Sequence, residues 1–307
     1  MALTDKQNNL YGGIGLALMT VVIWSGNYVV AKGISGSIPA VSLAFYRWST
    51  ATVCILPFAI KKFREEKTIL LAHKNYLFWT ALSGVTIFNT FIYLAGHYTS
   101  AINLALIGTT AAPVLVTFMG AWFLKEKVNR YRLTGMVICI TGILFLLSQG
   151  SLQKLARLHF GKGDVLVFIS AFAFAVYNIL VKKKPAGISP FVFLFTVFAL
   201  GTLLLLPFYL YEVMRVPAIR WTSNTLAIII YVGIGNSIIG YLFWNAAIKK
   251  IGSTATALFA NLIPIFSTIE AVIFLGETFS SIHFISGLIV ITGLVIANIP
   301  SKRSQPV

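Results

Sequence analysis

Charge is what this 307-residue chain has least of. Asp, Glu, Lys and Arg together make up 10% of it, and only 8 residues are acidic, whereas soluble domains carry roughly 25% charged residues. With 58% of positions hydrophobic, an ordinary water-soluble domain is excluded. Cysteine is nearly absent, and Cys54 and Cys139 both fall inside apolar runs, so they carry no information about compartment. No Gly-x-x-x-x-Gly-Lys-Ser/Thr run occurs, so nothing marks an ATP-binding loop, and no cofactor is implied. The apolar runs hold no paired aspartates, no His-Glu-x-x-His and no other metal or nucleophile cluster. An intramembrane enzyme is thereby disfavoured. With Asp5 near the start and a long first run, we expect no cleaved signal peptide.

What is present is a succession of apolar stretches, near 11–31, 40–60, 76–95, 100–124 and 130–148, then 164–181, 189–211, 224–248, 252–276 and 282–299. Each approaches the 20 or so residues a helix needs to cross a bilayer. They are too long, and too little alternating, for barrel strands. An all-α polytopic membrane protein of ten spans is predicted. The net charge of +16 would suit nucleic acid, but the basic residues lie between the spans. With the amino terminus inside, 17 of them face the cytoplasm, 6 face outward and Arg47 lies within a span. The positive-inside rule then puts both termini in the cytoplasm.

Shifted by 151 residues, the chain falls on itself: Gly12 meets Gly163, Asn27 meets Asn178, Gly84 meets Gly235 and Pro113 meets Pro264. Two copies of one unit follow, residues 1–151 and 152–307. Five spans per copy force the second to enter the membrane upside down, and the loop charges have the bias each side demands. An inverted repeat is the basis of alternating access, which points to transport.

Arg47 and Glu270 are the only charges well inside the spans, each about 10 Å below the outer face. An ion pair is possible at that depth. Neither repeats, since Arg47 aligns with Phe198 and Glu270 with Met119. Either can bind a charged substrate, and Glu270 can carry a proton. Pro113 and Pro264 break helix hydrogen bonds in mid-span, and Thr110 and Asn261 precede them by three residues. Both polar residues are expected to face a central cavity; alternatively they bond their own preceding turn. Trp24, Asn27, Asn89, Tyr93, Tyr177, Asn178, Asn236, Tyr241 and Trp244, with Tyr28 and Asn245, are further cavity candidates. Glu126 and Glu277 align at span ends and look structural. Gly135 and Gly142, and Gly287 and Gly293, allow the fifth and tenth spans to approach closely.

The run Trp24-Ser25-Gly26-Asn27-Tyr28-Val29-Val30-Ala31-Lys32 resembles the opening motif of the drug/metabolite transporter superfamily, specifically its EamA-type exporters. Arg47, Ser100-Ala101, the two mid-span prolines and the Leu-x-Glu endings at Glu126 and Glu277 agree with that pattern. The resemblance covers residues 11 to 299. It implies a ten-helix carrier of the bacterial inner membrane, with a central cavity, exporting amino acids and related metabolites. It also implies an architectural role for Arg47, which many members share, and makes Glu270 the less typical residue.

The function expected is secondary export of small metabolites, amino acids or derivatives, with protons as the default coupling ion. A lipophilic-cation exporter would use Glu270 and the aromatic walls. A non-transporting sensor or structural membrane protein needs no site residues at all. Monomer and homodimer remain open, as do direction and substrate.

Overall fold

In a computed structural model the described residues are 2–34, 38–95, 98, 101–125, 128–156, 161–217, 219–275, 280–297 and 299; among them there is helix and no strand. The helices are α1 (Ala2–Ile34), α2 (Ala40–Glu65), α3 (Lys74–Ala95), α4 (Ala101–Phe123), α5 (Arg130–Leu147), α6 (Lys162–Lys182), α7 (Pro190–Val213), α8 (Ser223–Ile251), α9 (residues 253–275) and α10 (Ser281–Ala297). Two short helices, Lys67–Ala72 and Leu152–Ala156, lie between them. Six stretches are long and apolar enough to cross a membrane: Gln7–Gly26, α2, α3, Val165–Lys182, α7 and α8. Shorter apolar helices cover Ala111–Phe123, Ser253–Ser267 and Ser281–Ala297. The chain is a polytopic membrane protein. Glu126 and Glu277 lie outside the described residues.

Polarity is arranged as a bilayer demands. Large apolar side chains such as Val53, Phe118, Trp122, Leu203 and Ile273 face outward, while Thr20, Asn89, Asn178, Asn236 and Ser286 are buried. Buried hydroxyls are often satisfied within their own helix, as Thr20 donates to the Leu16 carbonyl and Thr80 to that of Tyr76.

Two pairs of helices set 151 residues apart pack against each other antiparallel. Along α2 and α7, Phe45 stacks on Tyr209 at 4.2 Å while Phe63 meets Phe195 at 5.3 Å. Each helix also ends at a glutamate that caps the other's start. The Glu212 carboxylate accepts from the backbone N–H of Val41 and Ser42, at 3.1 and 2.6 Å, and from the Ser42 hydroxyl at 2.8 Å. At the opposite end Glu66 Oε2 accepts from the Ser189 N–H at 2.9 Å. A negative charge at a helix N-terminus satisfies donors the helix itself leaves open.

The other pair is α5 with α10, and it meets at glycine as expected. A Cβ on Gly135 would lie 2.4 Å from the Gly293 carbonyl oxygen, and the Ser286 hydroxyl donates to the Gly142 carbonyl at 2.8 Å.

Two helices change winding at corresponding places. α3 is π-helical over Leu82–Ile87 and α8 over Tyr231–Ile239. The aligned Gly84 and Gly235 fall inside these segments. π winding loosens the backbone ladder and recurs at functional sites. The two prolines behave differently: α4 runs through Pro113 as α-helix, whereas α9 tightens to a 3-10 turn at Ala260–Leu262 just before Pro264.

Candidate functional site

The middle of the bundle encloses a cavity of about 710 Å³ counting its open mouth. α1 supplies Trp24, α2 Arg47, α3 Phe88, Asn89 and Ile92, and α4 Ala112. α6 supplies Ser170, Ala171 and Phe174, α8 Asn236 and Tyr241, and α9 Ala260 and Ile263.

Arg47 is 2% exposed, and a buried guanidinium persists only where hydrogen bonds replace water. Its Nε donates to Ser237 Oγ at 2.7 Å, and its Nη1 to Asn89 Oδ1 at 3.0 Å and to the Tyr93 hydroxyl at 2.9 Å. The guanidinium also lies 4.8 Å from the centre of the Trp48 ring. The network continues past Asn89, whose Nδ2 donates to the Tyr241 hydroxyl at 3.3 Å. That hydroxyl donates to the Gly84 carbonyl at 2.9 Å, inside the first π segment. In the second π segment the Asn236 carbonyl accepts from Trp24 Nε1 at 2.9 Å. Loosened backbone thus holds Tyr241 and Trp24, two of the aromatic side chains that border the cavity.

Below the cavity, toward the helix ends bearing Lys182 and Lys249, aromatic rings close the bundle. Trp244 packs on Trp24 at 4.8 Å and on Phe174 at 5.8 Å, and Tyr177 meets Tyr241 at 5.5 Å. Two adjacent bonds tie α6 to α8 here. Trp244 Nε1 donates to Asn178 Oδ1 and the Tyr177 hydroxyl to Asn245 Oδ1, both at 2.9 Å.

Glu270 stands apart. Its Oε1 is 2.6 Å from the Ser25 hydroxyl, which also lies 2.7 Å from the Val22 carbonyl. Its Oε2 is buried without a hydrogen-bond partner. Gly26 lets both Glu270 and Tyr231 reach α1, since a Cβ there would lie 2.2 Å from the Tyr231 hydroxyl and 3.3 Å from Glu270 Oε2.

The ion pair between Arg47 and Glu270 is not formed. Equal depth put the two charges in one layer but said nothing of which way each helix turns them. Arg47 turns to α3 and α8, and Glu270 to α1. Of the residues singled out in the sequence, Trp24, Arg47, Asn89, Asn236 and Tyr241 share the cavity wall. Tyr93 joins them through Arg47, while Tyr177, Asn178 and Trp244 form the floor. Asn261 is buried but is not in that wall; the Cys139 thiol of α5 is its polar neighbour. The side chains of Asn27, Tyr28 and Thr110 lie outside the described ones. Ser25 and Ser237, which bond the two charges, and Tyr231, which lies beside Glu270, were not anticipated. Nor were Phe88, Ala112, Ser170 and Phe174, because such residues are common throughout the spans.

A bundle of apolar helices around a partly polar cavity, floored by aromatic rings, has the build of a membrane transporter. The chain belongs to the EamA-like transporter family, whose profile matches it twice, over residues 11–148 and 161–299. It is similar to an uncharacterised transporter of Archaeoglobus fulgidus, 30% identical over 94% of this chain and 98% of that one. A protein of Salmonella typhimurium named a probable amino-acid metabolite efflux pump is 26% identical, over 92% and 93% of the two chains. A protein of known crystal structure superposes with a TM-score of 0.74 at 16% identity, covering 93% of this chain and 96% of that one. That likeness concerns the fold alone.

Proposed function

We propose that the protein is a secondary transporter that exports small metabolites, amino acids or their derivatives, by alternating access. In this reading it has ten spans in two inverted units, residues 1–151 and 152–307, and both termini face the cytoplasm of a bacterial inner membrane. The observation that carries the proposal is the cavity within the helix bundle, with a hydrogen-bonded floor on one side. Antiparallel packing of α2 with α7 and of α5 with α10 supports inversion, as do the paired π segments. The names of the relatives support the choice of cargo. A lipophilic cation is the poorer cargo, because the charged side chain on the described cavity wall is Arg47 and no carboxylate joins it there. Purified protein in sealed vesicles should exchange labelled apolar amino acids across the membrane faster than empty vesicles do. Equal rates across a panel of amino acids and their derivatives would refute the proposal.

Proton coupling is assigned to Glu270. The Ser25 hydroxyl has one proton and two acceptors within 2.7 Å, Val22 O and Glu270 Oε1. A proton on Glu270 resolves this, because the carboxyl then donates to Ser25 and Ser25 donates to Val22. The groups facing Glu270 are Ser25 of α1 and Tyr231 of α8, with Arg47 of α2 beyond Tyr231. Glu270→Gln should flatten the pH dependence of transport while leaving exchange intact. Unchanged pH dependence with normal exchange would remove Glu270 from the coupling step.

A further inference from the structure

Resting on that transport reading, we infer that the cavity recognises its cargo by a carboxylate held between Arg47 and Asn236, and that it requires no positive charge on the cargo. Arg47 commits Nε and Nη1 to Ser237, Asn89 and Tyr93. These bonds fix the guanidinium plane and leave Nη2 unused among the described residues. Nη2 keeps two N–H donors, and a charge-assisted bond from it to a carboxylate is a strong one. No acidic side chain belongs to the described cavity wall, so the buried cation there is uncompensated.

Asn236 is the second element. It follows directly on the chain from Gly235 and precedes Ser237, the residue that anchors Arg47, and it lines the same cavity. It is 1% exposed, and its amide nitrogen and oxygen make no hydrogen bond of good geometry, the Tyr231 hydroxyl being the polar group beside them. A buried amide left in that state is costly. A bound carboxylate relieves both residues at once, accepting from Arg47 and from the Asn236 Nδ2.

The rest of the wall asks for an apolar body, since Phe88, Ile92, Phe174 and Ile263 face the same space. An ammonium group finds no carboxylate on the described wall, only neutral oxygens such as those of Asn236, Asn89 and Ser170 and ring faces, because Glu270 is engaged with Ser25 on α1. The cargo class is therefore a small monocarboxylate with an apolar side. Apolar amino acids belong to it, and so do their N-acylated and 2-oxo relatives.

The test is a ligand series on the full-length protein, read as binding affinity and as competition for exchange in vesicles. 3-Phenylpropionate and N-acetylphenylalanine should bind as well as phenylalanine to within about threefold, and phenethylamine and phenylalanine methyl ester roughly 10- to 100-fold more weakly. Phenethylamine binding as well as 3-phenylpropionate would overturn the inference. Asn236→Asp puts a negative charge beside Arg47 and should weaken the acids while strengthening the amine; an unchanged ratio counts against the site. A protein that binds the acids without moving any solute keeps this inference and refutes the transport reading. Transport of amines in preference to acids does the reverse.

Discussion

Gly84 is a position where a single added carbon atom has nowhere to go. A Cβ there would sit 2.1 Å from Tyr177 Cδ2, and the Tyr177 ring is fully buried and tied to Asn245. The ring cannot withdraw without giving up that bond. Its repeat mate Gly235 meets nothing nearer than 3.5 Å, an ordinary contact. Gly84→Ala should destabilise the protein by about 1–3 kcal/mol, whereas Gly235→Ala should be close to neutral, as read from unfolding midpoints in one detergent. Equal effects would show that the ring adapts. The alignment of the two glycines is visible in the sequence, but their unequal cost is not, because it depends on where the Tyr177 ring lands. Arg47 and Glu270 were legible for the opposite reason: a charge among apolar residues stands out wherever it points. Which neighbours they choose was not legible, since hydrogen-bond partners such as Ser25 and Ser237 look like any other serine.

At the scale of elements, α2 and α7 are joined by reciprocal caps. Glu212 receives three donors and Glu66 one, so their removal should differ in cost. Glu212→Ala is expected to destabilise by about 1–2 kcal/mol and Glu66→Ala by about 0.5–1 kcal/mol. The two sites lie at opposite ends of α2, roughly 35 Å apart by helix rise, so the double variant should show the sum of the two losses. A marked departure from additivity would mean that the pair slides as one body. The helices themselves were readable as apolar runs, and their observed ends fall within about five residues of the predicted ones, except that α1 begins at Ala2 and not near residue 11. The π segments were not, because the winding of a helix leaves its hydropathy unchanged. The caps were hidden too, since they join residues about 120 to 170 positions apart.

For the whole molecule, the floor is the part that must move if cargo is to pass from one side to the other. It is held by Trp244 to Asn178 and Tyr177 to Asn245, and the first pair corresponds at the 151-residue offset to Tyr93 and Asn27. In the present state Tyr93 serves Arg47 instead. In the proposed alternating-access cycle, opening the floor breaks two bonds between α6 and α8, and the proposed inverted unit offers an equivalent pair of positions on α1 and α3 for closing the other side. Trp244→Phe keeps the ring but deletes the Nε1–H donor, costing the closed floor about 1–3 kcal/mol. That changes the ratio of the two states by roughly 5- to 150-fold. A cysteine at Ser170, which lines the cavity, reports the shift in a chain whose Cys54 and Cys139 have been replaced by alanine. With Trp244→Phe, a membrane-impermeant thiol reagent should label that cysteine faster from the side bearing Lys182 and more slowly from the opposite side. Labelling that rises equally from both sides would indicate a loosened bundle, and labelling unchanged from either side would show that the floor is not the barrier.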